Sequence, residues 1–224
     1  MAKEIAIGEQ SFEQIIKDDS FYIDKTYFIR QWWERKSSVT LITRPRRFGK
    51  TLNMNMLYCF FSNKYKDRGD LFEELDIWKD EKYRNLQGTY PVIFITFAGI
   101  KATDMENALI GIRHQIREIY LSFPELGTCD ELAEAERNEY KQTTYEINAA
   151  DAPYALKRLS AMLYKKVLIL LDEYDTPLQE AWSFGYWQEL VQFTRLLFNN
   201  TFKTNPYMGR AVMTGITRVS RESL

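Results

Sequence analysis

Val39-Thr40-Leu41-Ile42-Thr43-Arg44-Pro45-Arg46-Arg47-Phe48-Gly49-Lys50-Thr51 decides how this chain is read. A short apolar, β-branched run enters a turn containing Pro45, and the turn ends in Gly-Lys-Thr, where a helical pattern opens. The order is strand, loop, helix, with the loop placed to receive a phosphate. Backbone N–H groups at the helix start, the positive end of the helix dipole and the Lys50 ammonium all converge on one anion. The Thr51 hydroxyl comes next, in the place that serves a magnesium ion.

Measured against G-x-x-x-x-G-K-[ST], the Walker A pattern of phosphate-binding loops, the stretch departs once: Arg44 stands at the first glycine. A positive φ is costlier there than it would be for glycine. A bare Gly-Lys-Thr also fits an exposed turn before a helix, so a second element is required. It comes at Val167-Leu168-Ile169-Leu170-Leu171, an unbroken apolar run ending in Asp172-Glu173. Such a run reads as a strand buried on both faces, the mark of a parallel sheet. Carboxylates at its end lie on the C-terminal edge, where open α/β sheets bind ligands. Asp172 is expected to hold Mg²⁺ opposite Thr51, directly or through a water, and Glu173 to polarise a water for attack on a γ-phosphate. The two motifs together predict an α/β P-loop NTPase, and the adjacent Asp-Glu pair favours hydrolases over small-molecule kinases.

Composition bounds the rest. The 224 residues suffice for one large α/β domain, and 45% hydrophobic content supplies its core. A net charge of −1, from 30 basic and 31 acidic side chains, gives no overall case for nucleic acid or an anionic membrane, although a local patch stays open. Cys59 and Cys129 are too few for a disulfide framework or a zinc site, and Cys59 falls in the helix after the loop as a core residue. The first residues carry no signal-length apolar run, and no stretch approaches a membrane span. A cytoplasmic protein without a membrane partner is expected.

Around the two motifs the chain alternates. Ser11 caps a short helix with Gln14 in the capping-box position, and a helical run follows from Tyr27 to Trp33. Tyr22, Asp24 and Lys25 lead towards the first strand; they read equally as surroundings of a nucleotide base or as surface around an aromatic core. Thr51 to about Phe61 is a helix, and Ser62 to Asp70 a polar loop. Tyr90–Phe97 is a second buried strand. Asp104 caps an amphipathic helix with Met105, Leu109, Ile112, Ile116 and Ile119 on one stripe, which leaves His114, the one histidine, on its surface. Glu131–Arg137 reads as a solvated helix, and Ala155–Tyr164 as a helix leading into the Asp-Glu strand. Tyr174–Pro177 is a turn, Trp187–Phe198 a helix, and Arg210–Gly215 a last strand. Thr214 at its end reads either as a γ-phosphate sensor or as an ordinary strand-end threonine. The chain has no repeats, no low-complexity tract and no linker, so a single domain with a doubly wound parallel sheet is expected.

Phe21-Tyr22-Ile23-Asp24-Lys25-Thr26, the segment Thr43–Thr51, Leu171-Asp172-Glu173-Tyr174-Asp175-Thr176-Pro177-Leu178 and Thr214-Gly215-Ile216-Thr217-Arg218 together resemble the bacterial AAA-ATPase-like proteins. The likeness runs from about residue 8 to the C-terminus. Arg-Pro-Arg-Arg-Phe-Gly-Lys-Thr is a specific mark, under which Arg44 in place of the first glycine is a family trait. The resemblance implies an ASCE-type, RecA-like P-loop domain over residues 1–224. Members are often longer, with a C-terminal region resembling PD-(D/E)xK nucleases. It further implies that this chain is truncated to the ATPase part, any nucleic-acid contact residing in the missing region. No nuclease motif is visible here.

A Mg-ATP-binding domain that hydrolyses ATP is therefore expected. Arg44, Pro45, Arg46, Arg47, Phe48, Gly49, Lys50, Thr51 and Leu52 form the phosphate-binding segment, with Lys50 bridging the β- and γ-phosphates. Thr51 and Asp172 hold magnesium, Glu173 is the base, and Thr214 and Arg218 are candidates for sensing the γ-phosphate. Arg44, Arg46 and Arg47 read as phosphate ligands, as groups reaching a neighbour's site in a homo-oligomer, or as solvated side chains. The rival class is a nucleotide-dependent switch or DNA-associated module with little intrinsic hydrolysis. No Asn-Lys-x-Asp motif for guanine is present, which leans towards ATP.

Overall fold

The computed structural model describes residues 3–217. Helices α1 (Phe12–Lys17) and α2 (Tyr27–Glu34) precede strand β1 (Val39–Thr43), which leads through the Gly-Lys-Thr loop into α3 (Lys50–Phe61). Short 3₁₀ turns and the one-turn α4 (Glu81–Arg84) carry the chain to β2 (Val92–Thr96). Then follow α5 (Met105–Leu121), α6 (Glu134–Tyr145), α7 (Ala152–Met162), β3 (Val167–Asp172), α8 (Thr176–Phe184), α9 (Trp187–Phe198) and β4 (Met208–Gly215). The four strands form one parallel sheet in the order β1-β4-β3-β2.

That order dictates where the helices lie. The chain leaves β1 for the far edge at β2, then steps back one strand at a time to β3 and β4. Right-handed crossovers running in opposite directions must cover opposite faces of the sheet, and two separate cores are found. On one face Leu168, Leu170 and Val212 pack with α1, α2 and α3 through Phe12, Ile29, Trp32, Met54 and Leu57. On the other, Ile169, Leu171, Ala211 and Met213 pack with α5 to α9 through Ile112, Ile116, Leu159 and Leu190. Strand β3 contributes to both, which is why all six of its residues are buried and its sequence is apolar without alternation. Strand β1 lies on the sheet edge and keeps Leu41 exposed.

Most elements fall where the sequence places them. The Ser11 hydroxyl accepts from Gln14 N at 3.2 Å, while the Gln14 amide turns to Asp18 and leaves Ser11 N to Glu9. Asp104 caps α5 by accepting from Asn107 N at 2.8 Å, and His114 is exposed beside Glu118. Helix α6 starts at Glu134, three residues later than the charge pattern suggests, because Leu132 is buried in the core ahead of it. The turn at Tyr174–Pro177 continues into α8: Pro177 sits in its first turn, where a missing N–H costs nothing. No helix among the described residues is long and apolar enough to cross a membrane.

Candidate functional site

All four strands end on one edge, and the Gly-Lys-Thr loop, Asp172-Glu173 and Thr214-Gly215 meet there. The loop makes its turn without a glycine at position 44. Arg44 N donates to Gly215 O at 3.1 Å, extending the β1–β4 ladder by one bond. The left-handed residues are Arg47 (φ 65°) and Gly49 (φ 69°). This is how the first glycine of the motif is dispensed with: the corner has moved downstream. Nothing lies within 4 Å of a Cβ placed on Gly49, so glycine is required there for its φ and not for space.

Gly49 is the N-cap of α3 and supplies no side-chain cap. The backbone N–H groups of Gly49, Lys50 and Thr51 therefore have no acceptor among the described residues. Lys50 is nearly buried, and its Nζ donates to Arg44 O at 2.9 Å and Pro45 O at 3.0 Å, the loop's own carbonyls. Thr51, one helical position on, donates its Oγ1 to Asp172 Oδ2 at 2.8 Å, across 121 residues of sequence. The other carboxylate oxygen of Asp172 accepts from the Thr214 hydroxyl. Asp172 is fully buried, and its two acceptor oxygens are met by hydroxyls and by no basic group. A buried carboxylate held by neutral donors needs a cation to be well compensated.

Glu173 leaves the strand end with φ 51°, an uncommon conformation for a side-chain-bearing residue. Its amide donates to Thr214 Oγ1 at 3.2 Å, and its Oε2 accepts from Thr176 Oγ1 at 3.1 Å. Thr176 holds the Glu173 carboxylate, and Glu173 borders the same cavity as Thr51 and Asp172. Thr214 thus touches both acidic residues. The hard oxygen donors Thr51 and Asp172, with Glu173 adjacent, fit magnesium, which takes one or two carboxylates and completes its shell with water and phosphate. Among the described residues no cluster of three His, Cys, Asp or Glu is present, so any metal shell would be completed by ligand and solvent.

Two cavities flank the first turn of α3. One, about 450 Å³, lies on the Thr51 side and is bounded by Thr51, Thr96, Asp172, Glu173, Glu9 and Ser11. The other, about 330 Å³, lies on the Lys50 side between α2, β1 and the loop.

The expected residues are brought together with three qualifications. Arg44, Arg46 and Arg47 are exposed; Arg44 reaches only Thr43 O, and Arg46 and Arg47 make no contact with a described partner. Asp24 is structural, accepting from Thr26 and from Asp76 N, and Tyr22 packs against Met56, which leaves Lys25 alone of that trio beside the cavity on the Lys50 side. Arg218 lies outside the described residues.

Asp175 is a member of the site that the residue pattern alone did not single out. It is 1% exposed, and its Oδ2 accepts from Ile216 N (2.9 Å), Thr217 N (2.7 Å) and Thr217 Oγ1 (2.7 Å). It therefore ties the turn behind Glu173 to the segment that leaves β4. The Gln179 amide also donates to it at 2.9 Å from one helical turn on, but the three contacts that tie it to the site lie more than forty residues away, where local spacing carries no trace of them.

No solved structure matches the chain. It is 27% identical over 225 residues to an uncharacterized protein in the vnfD 5′ region of Azotobacter chroococcum mcd 1, a match covering 99% of this chain and 39% of the relative. The chain thus spans about two fifths of that relative's length. The family model described as "Predicted AAA-ATPase" matches residues 6–224. Over residues 6–224 the chain belongs to the predicted AAA-ATPase family.

Proposed function

We propose that this chain is a P-loop ATPase domain of the ASCE type that binds Mg-ATP and hydrolyses it by attack of a Glu173-activated water. The observation that carries the reading is the Asp172 carboxylate, fully buried and bridged by Thr51 from the loop helix and Thr214 from β4. The placement of β4 between β1 and β3, which sets a polar strand end between the loop and the acidic pair, supports the same assignment.

The phosphate chain lies across the first turn of α3, where the free N–H groups and the helix dipole favour negative charge. Lys50 exchanges the Arg44 and Pro45 carbonyls for phosphate oxygens. Its ammonium is already at the site and only changes acceptor. Thr51 and Asp172 would hold magnesium, which would supply charge neutralisation to the phosphate chain. Glu173, fixed by Thr176, accepts the proton of the attacking water. The water oxygen bonds to the γ-phosphorus, the bond to the β–γ bridging oxygen breaks, and ADP and phosphate result. Thr214, shared between Asp172 and Glu173, holds both acids in register.

The switch reading has one observation in its favour: Asp175 fastens the segment after β4 to the turn behind Glu173, giving the site a mechanical link to whatever follows. Glu173→Gln discriminates. In a phosphate-release assay paired with ATP titration, the hydrolase reading expects binding within about threefold of the parent and a loss of turnover of at least about a hundredfold. Turnover unchanged by that substitution would refute the assignment of Glu173.

A further inference from the structure

On the opposite edge of the sheet, where the strands begin, we infer a second binding surface that takes single-stranded nucleic acid by its phosphates and unpaired bases. It uses no residue of the Gly-Lys-Thr loop or of the acidic pair, so it stands apart from the Mg-ATP reading. The connections into three of the strands bring basic residues to this edge. Arg35 and Lys36 precede β1, Lys165 and Lys166 precede β3, and Lys203 precedes β4, which carries Arg210 near its start. None of these is ion-paired with a carboxylate among the described residues. Glu34, the acid next to them in sequence, is turned to Tyr83 and Lys82. The chain's net charge of −1 conceals this local excess of cations.

Two clefts of about 340 and 320 Å³ open here and share Lys166, so one leads into the other. Trp33, Tyr90 and Arg210 line the first, and Tyr164, Lys165 and Tyr207 the second. Their charged lining is Lys165, Lys166 and Arg210 against the single carboxylate of Glu136. The Arg210 guanidinium lies over the Trp33 ring at 4.8 Å, and its Nη1 donates to Trp32 O and Arg35 O. That fixes its plane and leaves Nε and Nη2 without an acceptor among the described residues, a held fork suited to phosphate oxygens. Lys166 Nζ donates to Pro206 O at 2.6 Å, which pins it between the clefts. Tyr164 and Tyr207 are 54% and 42% exposed, and neither ring stacks on another among the described residues. Open ring faces beside unpaired cations match a phosphate backbone with free bases, since any base can stack on an aromatic side chain. A duplex keeps its base faces covered, and an anionic membrane has no flat partner for the rings.

Fluorescence anisotropy with a labelled oligothymidylate of about ten nucleotides, within the footprint of a single-strand-binding module, tests the surface without added ATP. The proteins are the parent chain, Tyr207→Ala, Lys165→Ala and Lys50→Ala, each shown to be folded by a thermal melt. The parent should bind with a log–log salt slope of about −2, the value for three cations each meeting a phosphate of a single strand. Tyr207→Ala should lose about fivefold or more with its slope unchanged, the mark of a lost stacking partner. Lys165→Ala should lose about fivefold and flatten the slope by about 0.7. Lys50→Ala should bind as the parent does. An abasic strand and a duplex of the same length should each bind at least about fivefold more weakly than the oligothymidylate. Equal binding of either one overturns the proposal, as does unchanged affinity in both folded edge variants. Binding lost in Lys50→Ala would place the strand at the phosphate loop and overturn the assignment to this edge. Absence of oligonucleotide binding overturns it too, and capture by phosphatidylserine vesicles in its place would make the surface a membrane contact. ATP titration reads the Mg-ATP site separately, so none of these failures bears on it.

Discussion

Gly215→Ala is the substitution whose cost the structure defines most closely. Gly215 ends β4 where the β3–α8 turn crosses it, and a Cβ added there would lie 2.6 Å from Asp175 Oδ1, 2.7 Å from Tyr174 Cε1 and 2.9 Å from Asp175 Cγ. Neither neighbour can retreat cheaply. Tyr174 is fully buried and its hydroxyl donates to Thr217 O, while the other oxygen of Asp175 holds three donors from residues 216 and 217. Overpacking of a tight site costs about 1–3 kcal/mol, and displacing a buried carboxylate from charge-assisted hydrogen bonds adds about 1.5 kcal/mol or more. The sum is about 3 kcal/mol, a fall in Tm of roughly 6–12 °C for a chain of this size. Urea and thermal melts followed by circular dichroism read it directly. A double-mutant cycle with Asp175→Ala assigns the cause: without the carboxylate the added cost of Gly215→Ala should shrink by about 1 kcal/mol or more, the Tyr174 contact remaining. A Gly215→Ala chain melting within about 2 °C of the parent would refute the packing described for this corner.

Two further expectations concern strain and pH. Glu173 has φ 51°, which costs a side-chain-bearing residue on the order of 1 kcal/mol; Glu173→Gly should raise the urea midpoint while abolishing phosphate release, and a lowered midpoint would contradict the account of the turn. Glu13 is held well below its ordinary range, to about 2, by hydrogen bonds from Lys17 and then Arg68, with Tyr65 adding a third. Its folded value lies below its unfolded one, so the stability it contributes is present above about pH 4.5 and is lost as pH falls towards 2. After solvent screening that is about 1 kcal/mol, and Glu13→Gln should flatten the parent's acid limb over that window; parallel limbs would refute the linkage.

The parts of this architecture that were legible in the sequence are those where one residue type has one physical use. The run Val167–Leu171 could be buried on both faces only in a central strand, and Gly49-Lys50-Thr51 could open a helix onto an anion; both lie where that logic puts them. Less legible were boundaries set by tertiary contacts. Pro177 ends a strand and also opens a helix, and only the packing of Leu178 and Ala181 into the core selects the second use. Leu132 holds the approach to α6 in the core and delays a helix that the charges alone would begin sooner. Within the site, Thr51, Asp172 and Thr214 carried local signals, each at a strand end or helix start. Asp175 carried none, because the contacts that bring it to the site come from residues 216 and 217, beyond β4. The cost at Arg44 was misplaced for the same reason: whether that position needs a positive φ depends on its bond to Gly215, a residue at the far end of the chain.

The most direct test of the central claim is calorimetric titration of Mg-ATP into the chain and into Lys50→Ala, with melts to show that both are folded. The account predicts one site per chain in the parent and an affinity lower by at least about tenfold in the variant, since Lys50 carries a charge-assisted contact to phosphate. Equal affinity in a folded Lys50→Ala chain, or no binding to the parent, would contradict it.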